Sequence, residues 1–139
     1  MRQILIRVRP KDAFEVPQSD GYQVYSALLA LIKSANPEVS ERVHGSPVHT
    51  MSIGGLNGNF GKSSKIGFKR LKSDEIYTIR IGVTDQHEEE IFRNLIHPIL
   101  LDKRSITLNR GELRVEHVED RQVSHKDLFR KVAEYTGST

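Results

Sequence analysis

Two imidazoles five residues apart, His44 and His49, close the polar segment HGSPVH that follows a strongly apolar stretch. Imidazole titrates near neutrality, so one ring can take a proton and another can give one. One reaction that needs both steps is attack of a ribose 2′-hydroxyl on its own 3′-phosphate. A base takes the hydroxyl proton and an acid protonates the departing 5′-oxygen. Lysines or backbone N–H groups stabilise the charged phosphorane. That chemistry requires no metal, and no cofactor is expected. His44 is the best candidate for it. Zinc sites prefer closer helical pairs or mixed Cys/His sets, and this chain has no cysteine, so a metal at His44 and His49 is the weaker reading. Of the other imidazoles, His97 is expected on a helix surface and His117 in the core. His87 and His125 fall near helix N-termini, where a cation is disfavoured.

The element that would position His44 is an apolar helix from Tyr22 to Ser34. Asp20 with Gln23 has the spacing of a capping box. Asn36-Pro37 stops the helix, because the residue before a proline is pushed out of helical geometry. A polar stretch then leads into an irregular loop that carries both histidines. Apolar residues surround most of this helix, so it wants burial on more than one side. Either a partner surface is missing or the helix is wedged under a long loop.

The rest of the chain builds a sheet. Gln3 to Arg9 alternates, with Ile4, Ile6 and Val8 on one face and Leu5, Arg7 and Arg9 on the other. Residues 11–19 read as a loop, and Thr50 to Ile53 as a short strand. The segment 54–65, GGLNGNFGKSSK, reads as a flexible loop or hairpin tip. Ile66 to Leu71 and Glu75 to Val83 read as a hairpin, the second strand carrying Tyr77, Ile79, Ile81 and Val83 on one face. A second helix opens at Thr84-Asp85 and is limited by Pro98. Strands at Ser105 to Leu108 and Glu112 to Val118 follow, then a short helix from Ser124 to about Tyr135. The order predicts an α+β, ferredoxin-like βαββαβ domain: an antiparallel, RRM-like sheet with two helices on one face. Its boundaries are 1–123, with 124–139 as the short helix and the start of a linker.

Length, charge and composition set limits. The 139 residues suit one domain, and a formal charge of +3 permits an anionic partner such as RNA without demanding one. No apolar run approaches bilayer length, so no membrane is expected. The absence of cysteine and of a cleavable signal fits a cytoplasmic protein. On the sheet face away from the helices, alternation predicts a band of Arg7, Arg9, Arg80 and Arg114, either ordinary solvated residues or phosphate contacts for RNA. A second cluster, Lys62, Lys65, Lys69, Arg70 and Lys72, flanks the glycine-rich segment with no acid among them. Its glycine spacing excludes a nucleoside triphosphate loop. Phe60 and Phe68 have the chemistry to stack on bases, with a core role the stronger expectation for Phe68.

Three segments carry a resemblance: ILIRVRP at the start, ALLALIKSANPEVSERVH with its histidine at fixed distance after Asn36-Pro37, and EYTGST at the end. In order and spacing they resemble the CRISPR-associated repeat-cleaving endoribonucleases of the repeat-associated mysterious protein (RAMP) superfamily, over the whole chain as an N-terminal half. The resemblance implies two tandem ferredoxin-like domains that bind precursor CRISPR RNA. It implies metal-independent cutting within the repeat, leaving a 2′,3′-cyclic phosphate and a 5′-hydroxyl. His44 occupies the place of the family's general acid/base. The tyrosine that some members place in the first helix falls at Leu29, and their lysine falls near Pro47 or Val48, so neither carries over. Tyr25 and His49 are the substitutes, His49 the better. The second domain, with its glycine-rich loop, is expected beyond Thr139. CRISPR repeat RNA is the implied partner, with effector-complex proteins or a second copy as further ones. Two other readings stay open: a non-catalytic repeat-binding protein, and a ferredoxin-like scaffold for protein contacts.

Overall fold

The computed structural model describes residues 2–45, 51–83, 88–100 and 103–122. The central layer is a five-stranded sheet made of β1 (Arg2–Pro10), β3 (Met51–Asn57), β6 (Tyr77–Val83), β7 (Ile106–Thr107) and β8 (Glu112–Gln122), in the order β3-β6-β1-β8-β7. All four neighbouring pairs are antiparallel. With α1 (Gly21–Ala35) between β1 and β3, and α3 (Glu88–Leu100) between β6 and β8, this is the ferredoxin-like βαββαβ arrangement. β7 adds a short strand beside β8.

Alternation explains which face is buried. Ile4, Ile6, Val8, Tyr77, Ile79, Ile81 and Val83 are all fully buried and form one cluster with Val24, Leu28, Leu31 and Ile32 of α1 and Leu95, Ile96 and Ile99 of α3. Side chains at the intervening positions, such as Arg7 and Arg80, are exposed. Removing this apolar area from water is the main stabilising term.

Asn36-Pro37 ends one helix and starts another, a correction to the loop expected there. Asn36 is extended (φ −157°, ψ 101°), as a residue before proline prefers. Pro37 then opens α2 (Pro37–Gly45), where its missing N–H costs nothing and its φ is already helical. The Asn36 side-chain oxygen accepts from the Glu38 N–H at 3.1 Å and serves the new helix start. Val39 of α2 joins the core. Tyr22 is the large α1 side chain left exposed and Tyr25 and Leu29 are half-buried; the rest of the apolar surface packs against α2, α3 and β3.

A second correction concerns residues 11–19 and the expected hairpin. Phe14–Pro17 is a strand, β2, which pairs with β5 (Phe68–Leu71), and β5 pairs in turn with β4 (Gly61–Lys62). β5 and β6 therefore lie in different sheets and form no hairpin with each other. Tyr77 explains the break. Its buried hydroxyl accepts from the Lys72 N–H at 2.9 Å and donates to the Asn59 carbonyl at 2.8 Å, closing the 72–77 turn without a ladder. Burial raises the Tyr77 phenol above its ordinary pKa, the Lys72 N–H pulls it down less, and Glu75 and Asp74 add to the rise. The protonated phenol is thus favoured in the folded state. Its contribution is whole below the unfolded value near 10 and fades as pH climbs through the higher folded value. Tyr77→Phe should lose about 1–3 kcal/mol at neutral pH by stranding both backbone groups. Denaturant melts should show that gap narrowing in alkali.

The glycine-rich segment is also more ordered than its composition predicts. β3 runs on through Gly54, Gly55 and Leu56, with a register shift between Ile53 and Leu56. Gly55 has φ +87°, and a Cβ there would collide with the Asp20 carboxylate. Asp20 makes no side-chain cap on α1. Its Oδ1 instead accepts from the Leu56 N–H at 3.2 Å.

Candidate nucleic-acid interface

The exposed face of the main sheet carries cations from three adjacent strands. Arg7 of β1 pairs across to Thr78 of β6 and His117 of β8; Leu5 pairs to Arg80 and Glu119, and Arg9 to Arg114. Arg7, Arg80, Arg114 and His117 are all exposed. Arg9 is engaged: its Nε lies 3.3 Å from Glu116 Oε1, and Nη1 donates to the Asp74 carbonyl at 3.1 Å. Of the expected band, Arg7, Arg80 and Arg114 thus present guanidinium groups to solvent, and Arg9 ties the strand end to the 72–77 turn.

His117 was expected in the core and is exposed. The cause is a bulge in β8. Arg7 faces His117 while Val8 faces Val115, so Glu116 is the extra residue and the alternation changes phase there. Leu113 and Val115 face inward before it and Val118 after it. His117 moves to the open face beside Arg7.

The lysine cluster does not form one patch. Lys69 is 14% exposed; its ammonium lies 3.0 Å from Asp20 Oδ2, donates to the Gln18 carbonyl at 3.1 Å and sits 4.1 Å from the centre of the Phe60 ring. Phe60 in turn packs against Tyr77, with ring centres 4.9 Å apart. Both side chains are held inside the fold. Arg70 reaches toward Glu15 at 4.0 Å. Lys72 is half-buried, and Lys62, opposite Lys69 on β4, is exposed. Phe68 is half-buried and stands outside the core cluster; Lys65 Nζ lies 4.2 Å and Arg110 Cζ 5.7 Å from its ring centre. Arg110 is not among the residues the sequence singled out. No local pattern joins Arg110 to Phe68, which lie 42 positions apart in the chain, so this cation–aromatic contact was not legible there.

His44 is the penultimate residue of α2, in a helix rather than the expected loop. His49, His87, His125 and the short helix after Ser124 lie outside the described residues. Among the described residues no group of three His, Asp or Glu side chains is placed to hold a metal ion. Among them, too, no helix is long and apolar enough to cross a membrane.

A ferredoxin-like sheet with one helix-covered face and one cationic face defines the class. Solved structures with this fold include a Cas6-related protein from Pyrococcus furiosus, which matches with a TM-score of 0.68 at 17% identity over 88% of this chain and 49% of that one. A RAMP protein described as binding different RNA substrates gives 0.66 at 15% identity, over 90% of this chain and 50% of the other. A CRISPR-associated protein Cas6 gives 0.60 at 17%, over 89% and 50%. The chain has the fold of Cas6 and RAMP proteins and spans about half the length of each of these three. No protein-family model matches the sequence, and no curated protein does.

Proposed function

We propose that this chain is the N-terminal, ferredoxin-like half of a metal-independent endoribonuclease that binds CRISPR repeat RNA and cuts it by 2′-hydroxyl attack. The products are a 2′,3′-cyclic phosphate and a 5′-hydroxyl. His44 acts as general acid/base, with His49 as its partner. Arg7, Arg80 and Arg114 bind phosphates along the open face, and Lys62 and Lys65 extend the contact on the small sheet. Lys69 is left out of that set, because its ammonium is occupied by Asp20, Gln18 and Phe60. The observation that carries this reading is the register of β6, β1 and β8. It sets exposed arginines from three neighbouring strands on the face that the helices leave bare, in a fold shared with RNA-related proteins.

Arginine suits this task because its planar fork matches two phosphate oxygens and stays charged. The test is RNA affinity as a function of salt. Arg7→Ala with Arg80→Ala should weaken binding of a labelled repeat RNA and flatten the log–log salt slope by about 0.7 per phosphate contact removed. An unchanged slope would remove the open face from the interface. A second reading, repeat binding without cutting, is favoured by one observation: the exposed cations that the strand register brings onto one face, Arg7, Arg80 and Arg114, are phosphate-binding types. Cleavage assays on the same RNA separate the two.

A further inference from the structure

β7 covers β8 only at Glu112 and Leu113. From Arg114 onward, the outer edge of β8 has no neighbouring strand among the described residues. A cavity of about 490 Å³ lies between this edge and the C-terminal end of α3. Its floor is aliphatic: Ile99, Leu100, Val115 and Val118. The β8 bulge makes that floor, because the phase change turns both valines to the same side. Leu100 is 56% exposed, so part of the floor faces open solvent.

The rim is cationic. Lys103, Arg104 and Arg114 line it and are exposed. Lys11 and Glu116 also line it, but Lys11 is tied to Glu112 at 2.6 Å and Glu116 to Arg9 at 3.3 Å. Among the described residues the other three cations have no ion-pair partner. The backbone at two of them is specific. Lys103 takes φ 51°, a left-handed conformation uncommon for a lysine, and the Arg104 N–H donates to the Pro98 carbonyl at 3.1 Å.

We propose that this cavity seats one ribonucleotide of the bound RNA. The base rests on the aliphatic floor, and the flanking phosphates meet Lys103, Arg104 and Arg114. The volume falls within the range of about 300–1,000 Å³ typical of small-ligand pockets. An apolar floor with a few cations at the mouth divides a nucleotide into its two halves. Continuity selects RNA over an acidic peptide: Arg114 and His117 line the cavity and also stand on the open face, in register with Arg9 and Arg7. The seat therefore rests on the RNA reading above and extends its track around the sheet edge.

The experiment uses the whole chain and a labelled single-stranded repeat RNA. Lys103→Gln with Arg104→Gln should weaken binding about tenfold and lower the salt slope by about 1.4, as two phosphate contacts would. Leu100→Ser should weaken binding with the slope unchanged, since it removes floor and no charge. Uridine monophosphate should shift the amide resonances of Lys103, Arg104, Val115 and Val118, whereas inorganic phosphate should shift only those of Lys103 and Arg104. The three substituted positions, Leu100, Lys103 and Arg104, are exposed, and an unchanged melting temperature confirms the fold. If the Arg7 and Arg80 variants lose binding and these variants do not, the seat is wrong and the RNA reading stands. If wild type binds no RNA, both fall. If the rim variants alter self-association instead of RNA affinity, the edge is a protein contact and the seat is wrong.

Discussion

Replacing His44 by alanine is expected to lower the rate of repeat RNA cleavage by about 10²–10⁴-fold, the usual worth of one positioned acid or base. Affinity for the uncut RNA should stay the same, because none of the proposed phosphate contacts lies on α2: Arg7, Arg80 and Arg114 are on β1, β6 and β8, and the others follow β3 or α3. The measurement is single-turnover cleavage in excess EDTA, made with this chain and with any longer product its reading frame encodes. A cyclic phosphate at the new 3′ end would mark attack by the 2′-hydroxyl. Cleavage at the wild-type rate would remove His44 from the mechanism and leave repeat binding as the activity. Loss of wild-type cleavage in EDTA would instead revive a metal bound by His44 and His49. His49→Ala separates the two histidines. A partner in acid/base catalysis should cost a comparable factor, and a bystander should cost nothing.

What the sequence made legible was the regular part of the fold. Strict alternation in β1 and β6 identified the buried face, since a two-residue period allows only two sides. The same alternation placed Arg7 and Arg80 on the open face. It failed at β8, where one inserted residue, Glu116, changes the phase with no glycine or proline to mark it. That single residue put His117 on the wrong side on paper. β2 was missed because four residues, Phe-Glu-Val-Pro, carry too little periodicity, and their pairing with β5 is a long-range event. α2 was missed because proline was read as a stop and not as a helix's first residue. For the candidate site, charge was legible and occupancy was not. Nothing in the spacing of Lys69 and Asp20 announces that they meet, although they lie 49 positions apart in the chain and 3.0 Å apart in space.

That meeting supports the second large effect. Asp20 is 5% exposed at its side chain, with Lys69 against one oxygen and the Leu56 N–H against the other. Lys69→Met keeps the length and apolar stem of the side chain but leaves a buried carboxylate without its counter-charge. The expected loss of stability is about 3–5 kcal/mol. Asp20→Asn together with Lys69→Met should recover most of it, because an amide oxygen can still accept from Leu56 and no net charge remains buried. Urea titrations of the four species close the cycle, and an additive result would show that the two groups do not interact. The same double variant tests what Lys69 contributes to RNA. With its ammonium engaged inside the fold, removing it should leave repeat affinity and salt slope at wild-type values once stability is restored. A slope that flattened by about 0.7 would return Lys69 to the phosphate contacts and make the Asp20 pair a resting position from which the lysine swings out.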